Sequence, residues 1–184
     1  MKLLSYALAV MLFTSFSIPQ NKCGGKERWD VKTVTDDGTV HLTTHKSESV
    51  ADMVQEPRPD IGMHTPRQPF EENVITIKAK IVFYKHEAND RDIHAVLSDG
   101  IHTMIVEFPD CSCPTMAKSR VIDKATQAKA DFLNLMEGQP MNQFFDGVPV
   151  KITGVAFFDF LHHQTGVAPN GIELHPVLSI SPAE

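Results

Sequence analysis

Apolar and polar residues alternate with a period of two from Val74 onward. Ile75, Ile77, Ala79, Ile81 and Phe83 fall on one side, and Thr76, Lys78, Lys80, Val82 and Tyr84 on the other. That period predicts a β-strand with one buried face and one wetter face. Asn89-Asp90-Arg91-Asp92 then marks a turn, and Ile93–Leu97 a second strand. Asp99-Gly100 is a tight-turn dipeptide, and Thr103–Phe108 reads as a third strand. Beyond this meander the period changes. Val121, Ala125, Ala128, Phe132 and Leu135 recur every three or four residues, the apolar stripe of an amphipathic helix. Lys118, Lys124, Lys129 and Asp131 take the other side. Thr115 or Ser119 can cap its start, and Gly138 followed by Pro140 stops it. Two more strands close the chain. Val148–Phe158 places Val150, Ile152, Gly154, Ala156 and Phe158 on one face, and Ile172–Ile180 carries Ile172, Leu174, Leu178 and Ile180. The loop between them, Leu161–Asn170, is rich in His, Gly and Asn.

Three strands, a helix and two strands is the element order of the OB-fold, a five-stranded Greek-key barrel with its helix between the third and fourth strands. The sequence therefore predicts a mainly β protein with one helix: an OB-like barrel over residues 73–181, preceded by an N-terminal extended arm over residues 18–72. Another small α+β sandwich is the competing assignment. Gly154 inside the fourth strand suits a bend or bulge in a curved barrel strand. In the arm, Trp29–Val34 reads as a short extended piece, Asp36-Asp37-Gly38 as a turn and Val40–Thr44 as a returning strand. Lys46–Asn73, with Pro57, Pro59, Pro66 and Pro69, reads as an irregular linker.

The first residues change the picture from fold to address. Lys2 is followed by an apolar run to Phe13, and Ser15-Phe16-Ser17 offers small residues for cleavage before Ile18. This pattern predicts a signal peptide over residues 1–17 and an exported protein, periplasmic or extracellular. An uncleaved anchor is the alternative, but Leu3–Ile18 is short of the roughly 20 apolar residues that span a bilayer. No later segment of the mature chain is long and apolar enough to span. Gln20-Asn21-Lys22 before Cys23 does not make a lipid-attachment box. In an oxidising compartment Cys23 can pair with Cys111 or Cys113, leaving one thiol; a Cys111–Cys113 bridge would be strained. The length of 184 residues fits one domain with tails. The net charge of -6 opposes attraction to phosphate backbones by the overall field, while leaving room for a local basic patch.

The segments Gly154-Val155-Ala156-Phe157-Phe158-Asp159-Phe160-Leu161-His162 and Gln164-Thr165-Gly166-Val167-Ala168-Pro169-Asn170-Gly171-Ile172-Glu173-Leu174-His175-Pro176-Val177 resemble the tail of a group of exported bacterial proteins. Glu27-Arg28-Trp29-Asp30-Val31-Lys32-Thr33 is similar to their opening, and Leu97-Ser98-Asp99 and Thr103-Met104-Ile105-Val106-Glu107 to their middle strands. Where those proteins carry Gly after the first His of the loop, this chain has His163. The resemblance spans most of the mature chain. It implies a single domain and no particular activity.

Two constellations carry candidate chemistry. The first is Asp159, His162, His163, Asn170, Glu173 and His175, in the last loop and strand. Carboxylates and imidazoles together can bind a metal or form an acid–base pair, and Glu173 and His175 share a strand face. Asp159, His162, Glu173 and His175 are thus candidate catalytic residues. A divalent metal on His162 and His175, with Glu173 as base, would make a metal-dependent hydrolase. Against it, the spacing matches no H-E-x-x-H pattern, and these polar groups can equally serve the backbone of a long loop. The second is Lys78, Lys80 and Tyr84 on the outer face of the first strand, a miniature of the cation-and-aromatic face on which OB barrels bind strands or sugars. His94 and His102 read as hydrogen-bonded strand residues, and Trp29 as an anchor for the arm. No nucleophile elbow, P-loop or dinucleotide fingerprint occurs. The function expected is that of an exported binding module needing no cofactor, with a protein, glycan or nucleic-acid partner; the alternative is the metal hydrolase.

Overall fold

The computed structural model describes residues 23–88 and 90–183. The expected signal peptide at residues 1–17 lies outside them. Among the described residues six strands form: β1 (His45–Ser47), β2 (Val74–His86), β3 (Ile93–Ser98), β4 (Thr103–Phe108), β5 (Val148–Phe158) and β6 (Ile172–Pro182). Strands β2, β3, β4, β6 and β5 pair in that order, and β5 pairs back onto β2, which closes a five-stranded barrel. The β4–β6 pairing is parallel and the other barrel pairings are antiparallel. This closure, with α3 (Ile122–Leu135) inserted between β4 and β5, makes the molecule an OB-like barrel.

The inward residues of all five barrel strands build one core. Ile75, Ile77 and Ile81 of β2, Ala95 and Leu97 of β3, Met104, Val106 and Phe108 of β4, Ile152 and Phe158 of β5, and Leu174 of β6 belong to it. Ala128 and Phe132 of α3 plug one end, where Phe132 lies 4.3 Å from the Phe108 ring centroid to centroid. The stripe that predicts the helix is thus the stripe that is buried.

Two departures from simple alternation matter for the outer faces. The register of β2 against β3 shifts between Ile81 and Phe83. Tyr84 therefore turns into the core, edge-on to Phe132, and its hydroxyl donates to the Gln139 carbonyl at 3.1 Å. In β5 the register shifts on both sides of Gly154. An added Cβ there would lie 2.8 Å from Leu174, so glycine allows the two strands to approach.

The arm differs most from expectation. Trp29–Lys32 is not extended but a single helical turn, α1. It is flanked by the buried Arg28 and Val34, both with positive φ (48° and 57°). A β-branched residue adopts that conformation only when tertiary contacts impose it. Val34 is held in an apolar cluster with Val74, Val121, Val155 and Leu178. Val40–Thr44 forms no strand; instead β1 adds in parallel to β2 just beyond it. The proline-rich stretch contains α2 (Val50–Met53), which opens on a Ser49–Asp52 capping box, and a 3-10 turn at Pro69–Glu72. A disulfide joins Cys23 to Cys113, leaving Cys111 as a free thiol.

Candidate functional site

The outer faces of β4 and β6 carry the polar residues that alternate with the core. Glu107 stands between Val106 and Phe108, and Glu173 and His175 flank Leu174. In a bare barrel these would be wetted. Here α1 lies across them, and Glu107, Glu173 and His175 are 2%, 1% and 0% exposed. Charged residues are almost never buried so deeply unless paired, and the pairing partner is Lys32 of α1. Its Nζ lies 2.8 Å from Glu107, 3.3 Å from Asp159 and 3.6 Å from Glu173.

One ammonium facing three carboxylates divides their protonation. Burial alone would lower the Lys32 pKa, but Glu107, Glu173 and Asp159 outweigh it and hold the ammonium well above its ordinary range. Burial pushes the Glu173 carboxyl up; Lys32 opposes this, while Glu107 and Asp159 add to it, so the group is held well above the usual carboxylate range. Burial also acts to raise Glu107, yet Lys32, the His94 hydrogen bond and the imidazole charges keep it well below that range. The same lysine thus stands beside one carboxyl shifted up and one shifted down.

Two histidines complete the cluster. His94 of β3 reaches Glu107 Oε1 through Nδ1 (3.2 Å) and the Thr165 carbonyl through Nε2 (2.8 Å). His175 reaches the Lys32 carbonyl through Nδ1 (2.7 Å) and Asp92 Oδ2 through Nε2 (3.1 Å). Trp29 stands edge-on to His175, and its indole N–H donates to Thr115 Oγ1. Trp29 therefore anchors the arm.

Above the cluster opens a cleft of about 560 Å³. Its walls are the β2–β3 connection (Glu87, Asp90), the β5–β6 loop (His162 to Thr165) and the arm (Lys26, Glu27, Trp29); Lys32, Glu107 and Asp159 form its inner end. Most of its charges are already paired: Lys85 with Glu87 at 2.6 Å and His162 with Glu27 at 2.7 Å. Burial first, and Asp92 and Glu107 next, raise the Asp90 carboxyl from its ordinary value.

The sequence-derived candidates separate in this geometry. Asp159 and Glu173 meet at Lys32, and His175 joins through Glu107. His162 is an exposed rim residue, and His163, also exposed, stands beside it. Among the described residues, the groups of potential metal-ligating atoms lying within 4.8 Å of one another are Cys23–Asp110–Cys113 and Asp92–Glu107–His175, neither containing His162. Asn170 serves the backbone: its side chain donates to the Met53 and Glu56 carbonyls and accepts from Ile172 N–H. Lys78 and Lys80 remain on the outer face of β2, but Tyr84 does not join them, because the register shift turns it inward. Lys32, Asp92 and Glu107 were not singled out by the sequence. The signal for Glu107 was a charge alternating with core residues in a strand; nothing local marks Lys32 as buried.

The fold and the site define an OB-like barrel with an acid-rich cleft at the rim formed by the β2–β3 and β5–β6 connections. No family model matches the chain, and no curated protein matches it. Among solved structures it is similar to one described as an aspartyl-tRNA synthetase from Leishmania major Friedlin, with 16% identity and a TM-score of 0.43. The match covers 79% of this chain and 22% of that one.

Proposed function

We propose that this protein is an exported binding module that takes a neutral, hydroxyl-rich ligand of the glycan class in the rim cleft. The observation that carries the reading is the composition of the cleft. It occupies the loop rim that OB barrels use for oligonucleotides and oligosaccharides, yet Glu27, Glu87, Asp90, Glu107 and Asp159 line it against Lys26, Lys32 and Lys85. An acidic balance repels a phosphate backbone. Carboxylates and amines set side by side suit vicinal hydroxyls, which both donate and accept. Export is supported by the signal-like N-terminus, by the resemblance to exported bacterial proteins and by the Cys23–Cys113 disulfide, a bond that persists in oxidising compartments. The hydrolase alternative on His162 and His175 has less support, since one stands on the rim and the other is buried under α1.

The test is calorimetric titration of the mature chain with a panel of neutral oligosaccharides and, separately, with a single-stranded oligonucleotide. Saturable oligosaccharide binding that is lost in Glu87→Ala and Asp90→Ala is the expected result. Oligonucleotide binding that weakens steeply with salt, with no saccharide bound, would overturn the reading.

A further inference from the structure

We propose that Asp92, Glu107 and His175 hold one divalent transition-metal ion in the buried cluster behind the cleft, which Glu107 alone of the three lines. The three residues come from the end of the β2–β3 connection, from β4 and from β6, and all are at least nine-tenths buried. His175 Nε2 lies 3.1 Å from Asp92 Oδ2 and 3.5 Å from Glu107 Oε2, and one ligand atom of each residue falls within 4.8 Å of the others.

Hydrogen-bond bookkeeping points to a cation. His175 Nδ1 faces the Lys32 carbonyl, which can only accept, so Nδ1 carries the hydrogen. In neutral imidazole Nε2 then bears a lone pair, and that lone pair faces two carboxylate oxygens. A proton on Nε2 or a cation held between the three relieves this convergence of acceptors, and the 3.1 and 3.5 Å separations match ligand atoms sharing one ion at about 2.0–2.2 Å. Glu107 Oε2 is buried, and the Lys32 ammonium 2.8 Å away, its cationic partner among the described residues, must also serve Asp159 and Glu173. Lys32 pairs with Glu107, Asp159 and Glu173, while Asp92 faces His175.

The remaining polar atom of each ligand is fixed in turn. His175 Nδ1–H donates to the Lys32 carbonyl, His94 holds Glu107 Oε1, and the Asp110 N–H donates to Asp92 Oδ1 at 2.8 Å. Such outer partners set the tautomer and aim of metal ligands. Two carboxylate oxygens and one imidazole nitrogen suit zinc and its first-row neighbours. The other grouping, Cys23–Asp110–Cys113, offers no thiolate, because both sulfurs are in the disulfide. The site does not depend on what fills the cleft.

The experiment strips the mature disulfide-bonded protein with a chelator and titrates it with Zn²⁺ at pH 7. Bound metal is quantified after gel filtration, and thermal unfolding is followed with and without Zn²⁺. One retained equivalent and a raised Tm are expected for the wild type. Asp92→Asn and Glu107→Gln should retain none, His94→Gln should bind roughly 10- to 100-fold more weakly, and His162→Ala should bind as the wild type does. Should the buried variants fold poorly, the Co²⁺-loaded wild type decides alone: visible bands of nitrogen and oxygen ligation support the site, and a sulfur charge-transfer band overturns it. A folded wild type that retains no Zn²⁺, or binding that Asp92→Asn and Glu107→Gln leave intact, also overturns it, and the charge between the three acceptors is then a proton.

Discussion

Asp99 tips the β3–β4 hairpin. Its Oδ1 accepts from the N–H groups of Ile101 (2.8 Å) and His102 (2.7 Å), and its Oδ2 meets His102 Nδ1 at 3.0 Å. Gly100, at φ 97°, completes the turn. The His102 N–H contributes most to lowering the Asp99 pKa from its ordinary 3.8 to about 2. A carboxylate whose folded pKa is depressed stabilises the fold above its unfolded value and loses that contribution as pH falls through the folded one. With solvent screening at this surface site, the contribution is about 1 kcal/mol. Asp99→Asn should therefore lower stability at neutral pH by that amount, and its deficit should shrink between pH 4 and pH 2 in parallel denaturation curves. A deficit independent of pH would show that shape rather than charge holds the turn. This turn was legible as Asp-Gly because its chemistry is local. The cluster around Lys32 was not, since each member is unremarkable in its own segment. Glu107 could be placed on an outer face by alternation; what could not be read was that another piece of chain covers that face.

At the scale of elements, the boundaries of the barrel strands followed the alternation closely because each strand buries one face against a common core. The errors fall where pairing with two neighbours at once forces a register shift, as at Val82 in β2, and where an element is shaped by what it docks on, as with α1. The docking of the arm rests on Arg28 and Glu71, both with side chains fully buried. Their guanidinium and carboxylate meet through two parallel bonds, at 2.8 and 2.5 Å. Glu71 also accepts from Phe158 N–H and Gln68 N–H, while Arg28 donates to the carbonyls of Thr65, Pro66 and Phe158. Removing one partner leaves the other buried without its counter-charge, which costs about 3–5 kcal/mol. Arg28→Ala and Glu71→Ala should each destabilise by that order in urea unfolding, and the double variant should cost clearly less than their sum. Additive losses would mean that the two side chains act separately and that α1 is held by its other contacts, the Lys32 ion pairs among them.

For the molecule as a whole, the arm converts an OB barrel with an open outer face into one whose face is covered and whose polar groups are turned inward. Among the fastenings of that cover are the Arg28–Glu71 pair at the base of α1 and the Cys23–Cys113 disulfide, which closes a separation of 90 residues. The disulfide ties the segment that carries Gly24 and Gly25, both packed on Trp29 so closely that an added Cβ would come within 3.0 and 2.8 Å of the ring. Chain entropy gives a closure of this length a stabilisation of about 4.6 kcal/mol. The barrel's own ladders and core do not depend on it, and neither does the Arg28 clamp one residue before Trp29. Reduction should therefore lower global stability and free Cys23–Glu27 while the barrel strands stay protected from hydrogen exchange. Trp29 is the single tryptophan of the chain, so its fluorescence reports the event: collisional quenching should rise on reduction and fall again on reoxidation, with the far-ultraviolet spectrum unchanged. Quenching that does not change would place the hold on Trp29 in α1 and Thr115 rather than in the disulfide. Loss of barrel protection together with the rise would mean that cover and barrel unfold as one cooperative unit, so that the cluster beneath α1 cannot be uncovered without unfolding the protein.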